Sequence, residues 1–257
     1  MQTGVRRAAL ACLSALAVTG CATGTGRAQD AAQTVMMSAA RSEAASTFHL
    51  SVTETMSTPS GAPSLGIGGV RMQGDFDLST HSASMTGTLM GAPQKPGTAP
   101  RSLTFSVIQI GNQSWDSIGG SGGLGPAGHW VKDSTSSPSN PLPDAAGLFA
   151  ALKSKATQVR LLGKTTVGGV VTEHYQLEGP SSLFDSIGGG SSGSQEAPLP
   201  GPVTVQVWVD RSNLIRQLTT TVEQEIPGAP GRIESETVSA EFSKYGEPLH
   251  IQPPPSS

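Results

Sequence analysis

VRMQGDFDLS, residues 70–79, puts Val70, Met72, Phe76 and Leu78 on one side of an extended chain and Arg71, Gln73, Asp75 and Asp77 on the other. A period of two marks a β-strand with one dry and one wet face, as in an antiparallel sheet packed on one side. The preceding stretch, TFHLSVTETM (47–56), repeats the pattern. Phe48, Leu50, Val52 and Met56 point one way, with His49, Ser51, Thr53 and Thr55 opposite. SASMTGTLM (82–90) pairs naturally with 70–79 across a short STH turn. LTFSVIQIG (103–111) and QSWDSIG (113–119) form a second hairpin around Gly111-Asn112, and HWVKD (129–133) is a short strand. VRLLGKTTVGGVVTEHYQLEG (159–179) reads as strand, tight turn, strand. VTVQVWVD (203–210), LIRQLTTTVEQEI (214–226) and IESETVSAEFSKYG (233–246) make a three-strand meander.

Helical periodicity is confined to two places. Asp30 is positioned to cap a helix over 31–45, with Val35, Met36, Ala39 and Ala40 on one face, and Asp144 to cap a second over 145–155. About nine antiparallel strands against two helices give a broad apolar sheet face with little to cover it. Either the sheet curls around its helices and encloses a cavity, or it closes into a fully packed barrel or sandwich. The many Ala, Gly, Val and Thr residues suit strong curvature, and only 4% aromatic residues would have to fill the hollow.

The N-terminus predicts export. Arg6 and Arg7 precede an apolar run from Ala8 to Val18, which is too short to span a bilayer, and small residues Thr19-Gly20 lead into Cys21. Val18-Thr19-Gly20-Cys21 resembles the bacterial lipobox, which implies a diacylglyceryl thioether on Cys21 and cleavage before it. Residues 1–20 are then a signal peptide, 21–29 (with ATGTGRAQD over 22–30) a flexible lipidated tether, and 30–257 one folded domain. The expected location is the outer face of the cell membrane. Each buried methylene contributes about 0.8 kcal/mol, so two acyl chains hold where one does not. Cys12 would leave with the signal, so the mature chain has no cysteine pair and its fold must rest on packing.

Composition argues against several functions. A net charge of −3 with 14% charged residues offers no basic field for nucleic acid. GGSGGLG (119–125) contains a formal GxGxxG and a GxSxG around Ser121, but PAGHWVKD follows where a phosphate-binding or nucleophile-bearing turn needs a helix. GGGSSG (188–193) fails likewise. The five histidines (49, 81, 129, 174 and 250) never fall at paired ligand spacing, so neither a metal nor any cofactor is expected. Asp75 and Asp77, like Glu223 and Glu225, share the wet face of a strand.

Val167-Gly168-Gly169, Glu173-His174-Tyr175, Val205-Gln206-Val207-Trp208-Val209-Asp210, Phe242, Tyr245-Gly246-Glu247-Pro248 and Ile251 before PPP carry a resemblance to the LppX/LprAFG family of actinobacterial envelope lipoproteins, within the LolA/LolB-like group. The resemblance covers by motif the last two-fifths of the chain. It implies an α+β fold, a strongly curved antiparallel half-barrel around a few helices, and an apolar cavity that binds acyl chains of lipids or glycolipids. Candidate lining positions are Leu50, Val52, Met72, Phe76, Leu78, Met85, Leu89, Phe105, Val107, Leu148, Leu152, Val205 and Val207. The expected partners are the membrane through Cys21, a lipid ligand, and an envelope transporter, and no catalytic residue is expected. Two other functions stay open: a structural, sensor or accessory lipoprotein with a closed core, and an enzyme, which would need a Ser or carboxylate beside a base in the cavity.

Overall fold

The computed structural model describes residues 25–57, 67–91, 102–120, 129–132, 144–155, 157–179, 203–225 and 233–255. Helix α1 (Thr25–Ala44) leads into strands β1 (Thr47–Ser57), β2 (Ile67–Asp77), β3 (Ser82–Gly91), β4 (Ser102–Ile110), β5 (Gln113–Gly120) and β6 (Trp130–Lys132). Helix α2 (Ala145–Lys155) follows, and then β7 (Thr157–Val167), β8 (Val170–Gly179), β9 (Val203–Asp210), β10 (Ile215–Glu225) and β11 (Ile233–Ser243). Every stretch read as extended joins the sheet. Counted singly, with the short edge piece and the two arms of 159–179, they total eleven against the nine or so expected.

The eleven strands make one antiparallel sheet in the order β6-β5-β4-β3-β2-β1-β11-β10-β9-β8-β7, open between β6 and β7. It is two meanders zipped together. β1 to β6 pair in sequence, β7 to β11 pair in sequence, and β1 joins β11 from His49↔Ser243 to Ser57↔Ser235. That seam brings together segments nearly 200 residues apart, which local pattern cannot foresee. The fold is the large, unclosed, curved sheet with two helices that was expected.

Asp144 caps α2, its Oδ1 accepting the Gly147 N–H at 2.8 Å. Asp30 does not cap α1. The helix begins at Thr25, and Thr34 Oγ1 donates to the Asp30 carbonyl at 2.8 Å, one turn inside it. Arg27, Ala28 and Gln29 are good helix formers and carry the helix back through residues expected in the tether. Residues 1–24, with Cys21 and the lipobox, lie outside the described residues. At the β7–β8 turn both Gly168 (φ 54°) and Gly169 (φ 81°) are left-handed, which is what a two-residue hairpin with native twist demands.

The two ends of the sheet differ. The short connections 78–81, 111–112, 168–169 and 211–214 all lie at one end, here called the turn end. Segments 58–66, 92–101, 180–202 and 226–232 attach to strand ends at the other, the loop end. α1 lies against β7, β9, β10 and α2. α2 reaches β1 and β11 through Phe149, whose ring meets Phe48 at 6.0 Å and Phe242 at 5.6 Å.

Candidate functional site

The inner face of the sheet, the one its helices pack on, is best followed row by row across the strands. At the turn end Gln109, Ala83, Phe76 and Phe48 stand side by side on β4, β3, β2 and β1. One step toward the loop end come Val107, Met85, Gly74, Leu50 and Phe242. The next row spans eight strands: Phe105, Gly87, Met72, Val52, Ala240, Leu218, Val207 and Tyr175. Beyond it run Leu103, Leu89, Val70, Glu54, Val238, Thr220, Val205 and Leu177. From Phe48 to Glu54 the face is about 20 Å deep at the rise of a strand.

The thirteen candidate lining residues fall into this frame. Leu50, Val52, Met72, Met85, Phe105, Val107, Leu89, Val205 and Val207 share the inner face, with Leu89 and Phe105 half-buried and the rest buried in one apolar cluster. Phe76 lies on the same face at its turn end, in the aromatic plug, where it stacks on Phe48 with centroids 5.4 Å apart and 9° between planes. Leu78 lies just past the end of β2, half-buried against the same cluster. Leu148 and Leu152 come from α2, both buried in it.

Sequence reading passed over several residues of this face. Phe242 anchors the plug beside Phe48, and Val238 and Leu218 are fully hidden, all at alternate positions of strands already recognised. Glu54 is the more telling omission. It is the fourth buried residue in the alternation Phe48, Leu50, Val52, Glu54 and is only 6% exposed. Parity alone would have placed it on the dry face. Burial raises the pKa of its carboxyl above 4.5, and no side chain among the described residues offsets that.

The turn end is fastened by polar contacts. Asp210 Oδ1 accepts the N–H groups of Ser212 (2.7 Å) and Leu214 (3.0 Å), while its Oδ2 takes Arg216 Nε at 2.7 Å. The Arg216 guanidinium lies 5.5 Å from the centre of the Tyr245 ring, and Tyr245 donates to the Ile215 carbonyl at 2.7 Å. Ser42 Oγ of α1 accepts the Ile215 N–H at 3.0 Å, and Lys153 of α2 pairs with Glu43 of α1. Burial drives the Tyr245 hydroxyl far above its usual pKa.

The outer face carries the polar partners of the alternation. His49 Nδ1 meets Asp75 Oδ1 at 2.8 Å across β1 and β2, and Asp77 turns to Ser79 and Thr80. The Ser79 hydroxyl is the main cause holding the Asp77 carboxyl below its usual pKa. His174 stacks on Trp208 at 4.3 Å and meets Gln206 at 2.9 Å. Among the described residues no His, Cys, Asp and Glu cluster could hold a metal ion, and no helix is long and apolar enough to cross a membrane. Both glycine motifs lie outside the described residues, apart from Gly119 and Gly120 at the end of β5.

An open, curved antiparallel sheet around two helices with one continuous apolar face defines the LprF-like class of fold. The crystal structure of LprF from Mycobacterium bovis matches 88% of this chain and 97% of its own, with a TM-score of 0.55 at 14% identity. The crystal structure of the lipoprotein LppX from Mycobacterium tuberculosis aligns over 86% of this chain and 99% of its own, with a TM-score of 0.44 at 12% identity. No family model matches the sequence, and no curated protein sequence matches it. The fold implied by the sequence resemblance is therefore the fold the chain has.

Proposed function

We propose that this chain is an envelope lipoprotein, held at the outer face of the cell membrane through Cys21, whose inner sheet face takes up acyl chains of a lipid or glycolipid and carries or presents them across the envelope. One observation carries the reading: four successive rows of mostly apolar side chains, two of them eight strands wide, run from an aromatic plug to the end where the long connections attach. Binding there requires apolar surface and few polar contacts, and no reactive constellation. The reading is accordingly non-enzymatic. Moving a chain from bilayer to inner face exchanges one apolar environment for another. The roughly 25 cal/mol per Å² gained on leaving water is thus nearly cancelled, and loading and unloading need no energy source.

A second reading rests on the complete burial of Val205, Val207 and Leu152, which suits a closed core in an accessory lipoprotein. Native mass spectrometry with organic extraction of the protein from a related host separates the two. The carrier should bring an acyl lipid with it, released on unfolding and lost in a Val205→Asp variant whose circular dichroism is unchanged. Protein that is empty, and that ignores a fluorescent fatty acid, would contradict the carrier and leave the closed-core lipoprotein.

A further inference from the structure

Glu54 breaks the apolar inner face at a defined depth. Its neighbours in the row are Val70 on β2 and Val238 on β11, followed by Leu89 and Leu103 on one side and Thr220, Val205 and Leu177 on the other. Toward the turn end the adjacent row offers Met72, Val52 and Ala240. Toward the loop end the face continues with Met56 opposite Glu236, a carboxylate engaged in an interaction of its own. Thr220 is committed as well, since its hydroxyl donates to the Thr204 carbonyl at 3.2 Å. Glu54 is thus a residue only 6% exposed, without a hydrogen bond or ion pair among the described residues, between the row of Val52 and a loop-end row that sets Glu236 beside Met56 and Val222.

A buried carboxyl in such a row is costly unless something bonds to it. Resting on the carrier reading, we propose that the Glu54 carboxyl donates a hydrogen bond to the carbonyl oxygen of an acyl ester whose chain lies along Val52, Leu50 and the rows toward the turn end. Burial favours the neutral acid, which is a donor where the carboxylate is not. An ester carbonyl supplies an acceptor and brings no donor, so the pair is complete. An ammonium headgroup would have to be stripped of water to reach this row, a cost that one buried carboxylate does not return. The position fits the ligand's anatomy, with chain carbons among the apolar rows, the ester at Glu54 and the headgroup toward the loop end. Glu54 would therefore select for an ester linkage, while the apolar rows select for chain.

The test is a competition. Full-length protein is incubated with phosphatidylcholine vesicles holding equal amounts of dipalmitoylglycerol and its dihexadecyl diether analogue. It is then re-isolated and extracted, and the two probes are counted by mass spectrometry. Wild type should favour the diester by about three- to tenfold, the range one net hydrogen bond provides. Glu54→Gln, which still donates, should keep the preference. Glu54→Leu and Glu54→Met should bring the ratio to about one with diether uptake retained. Folding is not at risk in these variants, because apolar groups replace a buried acid that bonds to no other described residue. Uptake of both probes without preference in wild type, or a preference that survives in the Leu and Met variants, would overturn the role of Glu54 alone. Uptake of neither would overturn the carrier reading and this inference with it.

Discussion

The same strands build two unlike ends. At the turn end, the rings of Phe48, Phe76, Phe149, Phe242 and Tyr245 lie with centroids 5.4–6.4 Å apart, and the Asp210–Arg216–Tyr245 contacts clamp the β9–β10 turn to α1 and the C-terminal tail. About 20 Å along the strands the inner face holds aliphatic side chains and one carboxyl, and the connections that leave there are rich in Gly and Pro. Aromatic contacts of this kind contribute beyond the area they bury. Cohesion is therefore concentrated where the turns are tight. On the proposed function the loop end is where an apolar ligand enters, and stability and binding are then separated along single strands.

The largest expected effect is that of Phe48→Ala. Phe48 touches four rings and is fully buried, so its loss should cost about 3–5 kcal/mol, read from denaturant melts. The ratio of diester to diether uptake should not move. A change in that ratio as large as the one expected from Glu54→Leu would mean that the ends are not separable. Asp210→Ala should cost about 3 kcal/mol, since it leaves Arg216 and two backbone N–H groups without their acceptor.

Tyr245→Phe removes one buried hydrogen bond and should cost about 1 kcal/mol at neutral pH. It also carries a pH signature. Burial first, and then the hydrogen bond and charge of Glu173, push the other tyrosine, Tyr175, up to about 12, and burial moves Tyr245 further. The folded chain keeps these phenolic protons longer than the unfolded chain does. Stability is therefore level below pH 10 and falls as pH rises through the folded values. The fall should be shallower in Tyr245→Phe.

The smallest expected effect lies at the loop end. The Glu54 carboxyl is raised by burial, so the folded state binds its proton more tightly and stability falls as pH rises from 4.5 through the raised value. Glu54→Gln should stabilise the ligand-free protein at pH 7, and the gain should vanish below pH 4. Equal melting curves at both pH values would mean that Glu54 is solvated like any surface acid.

Much of this was legible. The spans of α2 and β9 follow directly from the sequence, because Asp144 marks a helix start and VTVQVWVD alternates without interruption. Alternation likewise places the apolar inner-face residues of β1 to β4. What stayed hidden is of two kinds. The β1–β11 seam depends on register between segments at opposite ends of the chain, and no local period encodes it. Glu54 and the early start of α1 were obscured by residue type: a charged side chain at a dry position, and an aspartate that resembles a cap but sits a turn inside. Gly87 is similar. A side chain there would run into the Phe105 ring, a constraint that exists only once β3 and β4 are paired.

The most direct test of the central claim is photo-crosslinking with a diazirine-bearing palmitate, followed by peptide mapping of the labelled sites. The account predicts label on inner-face residues toward the loop end, led by Val52, Val70, Met72 and Leu89, and little on Phe48 or Phe242. Label confined to the exposed apolar residues of the β7–β8 hairpin, such as Leu161 and Val171, with the inner face unmarked, would contradict it.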